Sequence, residues 1–140
     1  MAATVSADRD DQEVVGPTAP AAARLQRSVA DRWTPALSRA GHVPIVRTFL
    51  RSYSSLTPPL TVGEAMFVIH LMDYKWDAGK PFPGYGTIAR YMGISAKMAR
   101  RHAQNLEKKK YLVRELRVAQ TNKFDLTPLF LALENELTRK

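Results

Sequence analysis

The sequence predicts a mainly α-helical fold with one small β-hairpin, and three observations carry that reading. Thr61 and Glu64 form the signature of a capping box directly before an apolar run that reaches Met72. Residues 85–112, YGTIARYMGISAKMARRHAQNLEKKKYL, read as two short helices around a tight turn. Beyond them, residues 111–118 and 122–126 carry β-branched and aromatic side chains on either side of Ala119-Gln120-Thr121, the pattern of a hairpin.

Taken in chain order, residues 1–22 are rich in Ala, Asp, Pro and Val with no period, too little apolar surface to offset the entropy of ordering. Leu25, Val29 and Trp33 recur at i+4 and predict a marginal helix that Thr34-Pro35 stops. Residues 1–40 are therefore read as a largely disordered acidic, Ala/Pro-rich tail with one marginal helix, and 41–140 as the folded domain. The segment 42–50, HVPIVRTFL, is apolar and β-leaning at its start, and SYSSLTPP at 52–59 breaks any regular pattern. Thr61 caps the next helix, whose Ala65, Met66, Phe67, Ile69, Leu71 and Met72 predict burial, and residues 77–84 form the loop that delivers the chain into the helix at Tyr85.

Within 85–112, Ala89 lets two helices approach, Gly93 supplies the turn without steric cost, and Ser95 caps the second helix with its hydroxyl. After the hairpin, Thr127 reads as an N-cap with Pro128 at the first helical position. Leu129, Phe130, Leu133 and Leu137 then make an apolar stripe.

The formal net charge of +8 is unevenly placed. Residues 1–22 hold Arg9 against Asp8, Asp10, Asp11 and Glu13, which leaves +11 for the remainder. Between Arg90 and Lys123 ten Lys and Arg stand against Glu107 and Glu115 alone, so this stretch equals the whole net charge. A basic protein with its charge concentrated in this way points to a polyanion partner; the alternative is a solubilising face.

Without cysteine there is no disulfide framework, thiolate metal site or cysteine nucleophile, which suits a reducing cytoplasm. No apolar run reaches membrane-spanning length, and the acidic N-terminus lacks the apolar core of a secretory signal, so a cytoplasmic protein with no membrane partner is expected. His42, His70 and His102 share no ligand spacing, no Gly-rich phosphate loop or nucleophile elbow occurs, and no paired carboxylates stand at catalytic spacing. The expectation is a non-enzymatic protein with no metal and no cofactor. His70, inside an apolar helix, reads as a core residue, and Trp76 beside Tyr74 and Phe82 reads as a loop anchor, the alternative for it and for Trp33 being to stack on bases.

The order helix, helix, turn, helix, hairpin, helix resembles the winged helix-turn-helix domains of bacterial transcriptional regulators and of plasmid or phage replication-initiation proteins. The likeness spans residues 43–137. It rests on LTVGEAMFVIHLMDYKWD for the first helix, PFPGYGTIARYMGIS for the second and its turn, ARRHAQNLEKKKYL for the third, and TNKFDLTPL closing the wing. Two residues depart from the family pattern. Related sequences place glycine where Lys110 stands, so a looser or shifted stop is expected there. They also place a larger aliphatic where Ala99 stands, so Met98 is expected to turn inward.

On a 3.6-residue period Ala99, His102 or Ala103, and Leu106 face the core, leaving Lys97, Arg100, Arg101, Gln104 and Lys108 on the opposite side. Arginine can bridge guanine O6 and N7, and glutamine can pair with adenine N6 and N7, which makes Arg100, Arg101 and Gln104 the candidate base readers. Lys97, Lys108 and Lys109 are candidate phosphate contacts, together with Ser95 and the free amides at the helix start near Tyr85 and Thr87. For Tyr85 the alternative is packing. Arg114, Arg117, Gln120, Asn122 and Lys123 form a candidate wing on the backbone or in the minor groove, the alternative being that Arg114 and Glu115 only decorate a hairpin.

The resemblance implies sequence-specific double-stranded DNA binding, first as a transcriptional regulator and alternatively as a replication-origin-binding protein, nucleoid-associated when bound. Initiators of this kind usually continue into further domains, which favours the regulator. A winged-helix protein-protein module is the reading of another class, in which the stripe Leu129, Leu133 and Leu137 of the C-terminal helix joins a homodimer; the favoured alternative is that the stripe packs back on the first helix.

Overall fold

The computed structural model of the protein describes residues 29–75 and 77–139. The chain divides into two units, residues 1–42 and 43–140. The expected disordered stretch 1–22, and Leu25 of the marginal helix, lie outside the described residues, as do Trp76 and its expected anchoring role.

In the first unit a 3-10 turn at Val29–Arg32 precedes a short helix α1 at Pro35–Ala40. The 3-10 turn ends at Arg32, ahead of Thr34-Pro35, and the same pair then starts a second helix that was not expected. The Thr34 hydroxyl accepts the Leu37 N–H at 3.2 Å, and Pro35 takes a first-turn position where its missing N–H is no loss. Trp33 and His42 stack with ring centroids 5.9 Å apart.

The second unit is built from α2 (Arg47–Ser52), α3 (Val62–Met72), α4 (Tyr85–Met92), α5 (Ala96–Lys108), an antiparallel pair β1 (Val113–Glu115) and β2 (Lys123–Asp125), and α6 (Thr127–Thr138). The β-leaning segment 42–50 becomes helical from Arg47. Ile45, Phe49 and Tyr53 recur at i+4 and turn inward, with Phe49 buried and the other two packed against the core.

The capping box at the start of α3 is complete. Glu64 N–H donates to the Thr61 hydroxyl at 3.1 Å, and Thr61 N–H donates to Glu64 Oε1 at 3.0 Å. Phe67, Val68 and Leu71 bury one face of α3; Met66 is exposed, and Ile69, Met72 and His70 are half-buried.

The core joins α3, α4 and α5 with the hairpin and α6. Phe67 meets Phe124 edge to face at 6.1 Å, and Tyr85 meets Phe124 the same way at 5.8 Å. The strands are three residues each, shorter than the sequence suggested, in the register Val113↔Asp125, Arg114↔Phe124 and Glu115↔Lys123. Tyr111 and Leu112, expected in the first strand, are core residues ahead of it, and Ala119 adopts a left-handed φ of 57° in the loop between the strands. Phe124 N–H bonds to the Pro81 carbonyl at 2.8 Å, which seats the hairpin on the loop before α4.

Helix α6 begins differently from the expectation. Thr127 is its first residue, and the Asp125 carboxylate accepts the Thr127 N–H at 2.9 Å in place of a threonine cap. That bond holds the Asp125 carboxyl below its usual value. Leu129 and Leu133 are buried within the domain, where α6 lies against α2, while Leu137 is exposed. The first two residues of the stripe are thus used inside one chain, as in the alternative in which it packs back, though against α2.

Candidate nucleic-acid interface

Helices α4 and α5 meet at a turn whose three residues act as expected. Ala89 is buried between the helices, Gly93 takes a left-handed φ of 73°, and the Ser95 hydroxyl accepts the Met98 N–H at 3.1 Å. Ala99, Ala103 and Leu106 are fully buried along one side of α5. Ala103 is the buried member of the pair left open by the periodicity, and His102 is half-buried beside it. Met98 stays 38% exposed and does not turn inward. Instead the His102 ring fills the approach to α3: a Cβ added at Gly63 would lie 2.6 Å from His102 Cε1. Gly63 and His102 together set the distance between α3 and α5.

The opposite side of α5 carries Lys97, Arg100, Arg101, Gln104 and Lys108, all exposed. At about 100° per residue they fall within an arc of about 100° centred away from the buried stripe. Inside that arc there is no carboxylate, and the nearest stands at its edge, about 20° beyond Arg100. Glu107, the one acid in α5, is turned to Arg114, whose Nε donates to Glu107 Oε1 at 2.8 Å. Among the described residues Lys97, Arg101 and Lys108 enter no ion pair, so their charge is available to an external anion.

Tyr85 is a packing residue. Its ring is half-buried on Phe124, the Arg100 guanidinium carbon stands 5.2 Å from its centroid, and its hydroxyl receives Arg114 Nη1 at 3.1 Å and Asn122 Nδ2 at 3.5 Å. The Tyr85 hydroxyl is the first cause of a raised Arg114 pKa, and the Glu107 charge adds to it against the opposing effect of burial. Thr87 is half-buried in the first turn of α4.

Lys109 is a correction. Its ammonium donates to Glu64 Oε1 at 2.6 Å and to the Pro59 carbonyl at 2.8 Å, so it braces α3 and is not presented to a phosphate. Arg114, a wing candidate, is likewise engaged by Glu107, and Glu115 pairs with Lys80. Arg117 stacks over Phe82 at 5.0 Å and donates to the Thr121 carbonyl at 2.7 Å. Gln120 is exposed on the loop and Lys123 is half-buried on β2.

Two features escaped the sequence reading. Lys110 ends α5 in the left-handed region at φ 70°, and its N–H donates to the Glu107 carbonyl while Tyr111 N–H reaches back to Leu106. The stop is where glycine would put it, made by a lysine. The wing tip is apolar: Leu116 is 78% and Val118 94% exposed, though their β propensity suggested strand.

Among the described residues no three His, Asp or Glu come together in a group able to hold a metal ion, and no helix is long and apolar enough to cross a membrane. Residues 60–112 match a family of helix-turn-helix domains. No curated protein matches the sequence. In solved structures the chain is similar to the crystal structure of the YusO protein from Bacillus subtilis at 14% identity and a TM-score of 0.38, over 86% of this chain and 83% of that one. The matched segment contains α3, the α4-turn-α5 unit and the left-handed stop that precedes the hairpin. Residues 60–112 thus match a helix-turn-helix family, and a two-stranded antiparallel hairpin follows them, the element order of a winged helix-turn-helix.

Proposed function

We propose that the protein is a non-enzymatic, sequence-specific binder of double-stranded DNA that acts as a transcriptional regulator in the cytoplasm, with α5 in the major groove. The observation that carries this reading is the unpaired cationic face of α5. Lys97, Arg101 and Lys108 stand exposed beside Gln104, directly after a tight turn and opposite a fully buried stripe. A solubilising face needs no such exclusion of carboxylates, whereas a phosphate surface is repelled by each one.

Arg100, Arg101 and Gln104 read base edges, and Lys97 and Lys108 contact phosphates with the Ser95 region at the helix start. Arg117, Gln120, Asn122 and Lys123 lay the wing along the backbone or the adjacent minor groove. No observation favours a replication-origin role.

Selection of bound duplexes from a random pool tests this directly. The expected result is an enriched short motif whose affinity falls with salt at a log-log slope of about −0.9 per phosphate contact. Enrichment of nothing, together with a flat salt response, rejects DNA as the partner.

A further inference from the structure

Four side chains form a continuous path that leaves α5 and returns to it. Glu107 holds Arg114 of β1 at 2.8 Å, Arg114 donates to the Tyr85 hydroxyl at 3.1 Å, and the Tyr85 ring carries the Arg100 guanidinium at 5.2 Å. Arg100 and Glu107 are seven residues apart, hence on one side of α5 and about 10 Å apart along its axis. Asn122, just before β2, reaches the same hydroxyl at 3.5 Å. The base of the wing and one of the candidate base readers therefore share a single aromatic ring.

We propose that Tyr85 is a specificity-determining positioning residue, which holds Arg100 ready for a base and makes that hold depend on how the wing is seated. An arginine on an open helix face samples many rotamers and loses that freedom on binding. Over the Tyr85 ring the guanidinium is confined before DNA arrives, and cation–π attraction favours the confined state. The ring cannot tilt freely, because its edge lies on Phe124 and its hydroxyl is tied to Arg114 and Asn122. A wing displaced by a poorly fitting backbone would move those ties, and the ring and Arg100 with them.

This inference rests on the DNA-reading function proposed above, and the test separates the two. Full-length wild-type protein, Tyr85→Leu and Tyr85→Phe are titrated with three duplexes: the best one from selection, the same duplex altered at the base pair that Arg100→Ala no longer discriminates, and a random one. Tyr85→Leu is expected to weaken the selected duplex about three- to tenfold, and to lose discrimination at that base pair by the same factor. The random duplex should stay within about twofold of wild type.

Tyr85→Phe keeps the ring and loses the ties. It should retain discrimination, while the coupling between Arg100→Ala and Asn122→Ala, present with tyrosine, vanishes with phenylalanine. That cycle stands even if Tyr85→Leu folds poorly. Without DNA, the Arg100 Nε–H resonance should be shifted by the ring in wild type and Tyr85→Phe, and unshifted in Tyr85→Leu.

Equal losses on all three duplexes, or strictly additive Arg100 and Asn122 effects in the wild-type background, overturn the inference while leaving the DNA function in place. A wild-type protein that binds all three duplexes alike overturns the base-reading function and this inference with it.

Discussion

The Lys109 ammonium lies 2.6 Å from the Glu64 carboxylate, so the end of α5 is bolted to the first turn of α3. Glu64 is 2% exposed, and burial alone would raise its pKa. The Lys109 contact and the Thr61 N–H outweigh that effect and bring it below its ordinary 4.5. The lowered carboxyl contributes stability that is present above pH 4.5 and lost as pH falls through the folded value. Urea melts of wild type should therefore weaken on acidification below pH 4.5, with a smaller loss in Glu64→Gln.

Lys109→Met should cost about 2 to 3 kcal/mol at pH 7, because a charged hydrogen bond is removed and a buried carboxylate is left behind. The same variant, measured while folded, should bind random duplex as wild type does. A drop in that affinity matching Lys108→Ala would return Lys109 to the phosphate-contacting set.

Gly63→Ala should destabilise the domain by about 1 to 3 kcal/mol, since its Cβ would collide with the His102 ring. His102→Ala removes the obstacle, so the double variant should lose less than the sum of the two single losses. Thermal melts of the four proteins provide the comparison, and strict additivity would show that α3 and α5 do not meet there.

On a selected duplex, Arg101→Ala and Gln104→Ala should each cost about 1 to 3 kcal/mol and relax one base position. Lys97→Ala and Lys108→Ala should weaken all sequences alike and reduce the salt slope by about one each. Titrations at two or more salt concentrations distinguish the two classes of residue.

Lys110→Gly should stabilise the domain by about 0.5 to 1 kcal/mol, because glycine meets no Cβ penalty at φ 70°. Lys110→Val should destabilise it, since a β-branched side chain fits that region poorly. Urea midpoints report both.

What was legible in the sequence was local chemistry. Thr61 and Glu64 stand three residues apart and satisfy each other, and Gly93 and Ser95 act on their own neighbours, so the turn between α4 and α5 could be read directly. The unread features depend on distant partners. Lys109 meets a carboxylate 45 residues earlier, and Arg114 is joined to Tyr85 across 29 residues, so both resembled free cations in the chain. The strands were overextended because Leu116 and Val118 have the β-branched or aliphatic character of a strand, yet no pairing partner lies opposite them. The helix begun by Pro35 was missed and Thr127 was misassigned for a related reason, since a proline or threonine between elements can end one helix, cap the next or begin it until the neighbouring backbone is known.

At Lys110 the backbone leaves the right-handed spiral, so the direction of the side chain no longer follows the helical period. The exposed lysine there is set by the turn and not by the helical repeat. Glycine would leave that end of the protein one positive charge poorer, with Lys108 and Lys109 still in place. With lysine the domain accepts a less favourable bend and keeps a positive charge one residue past its C-cap.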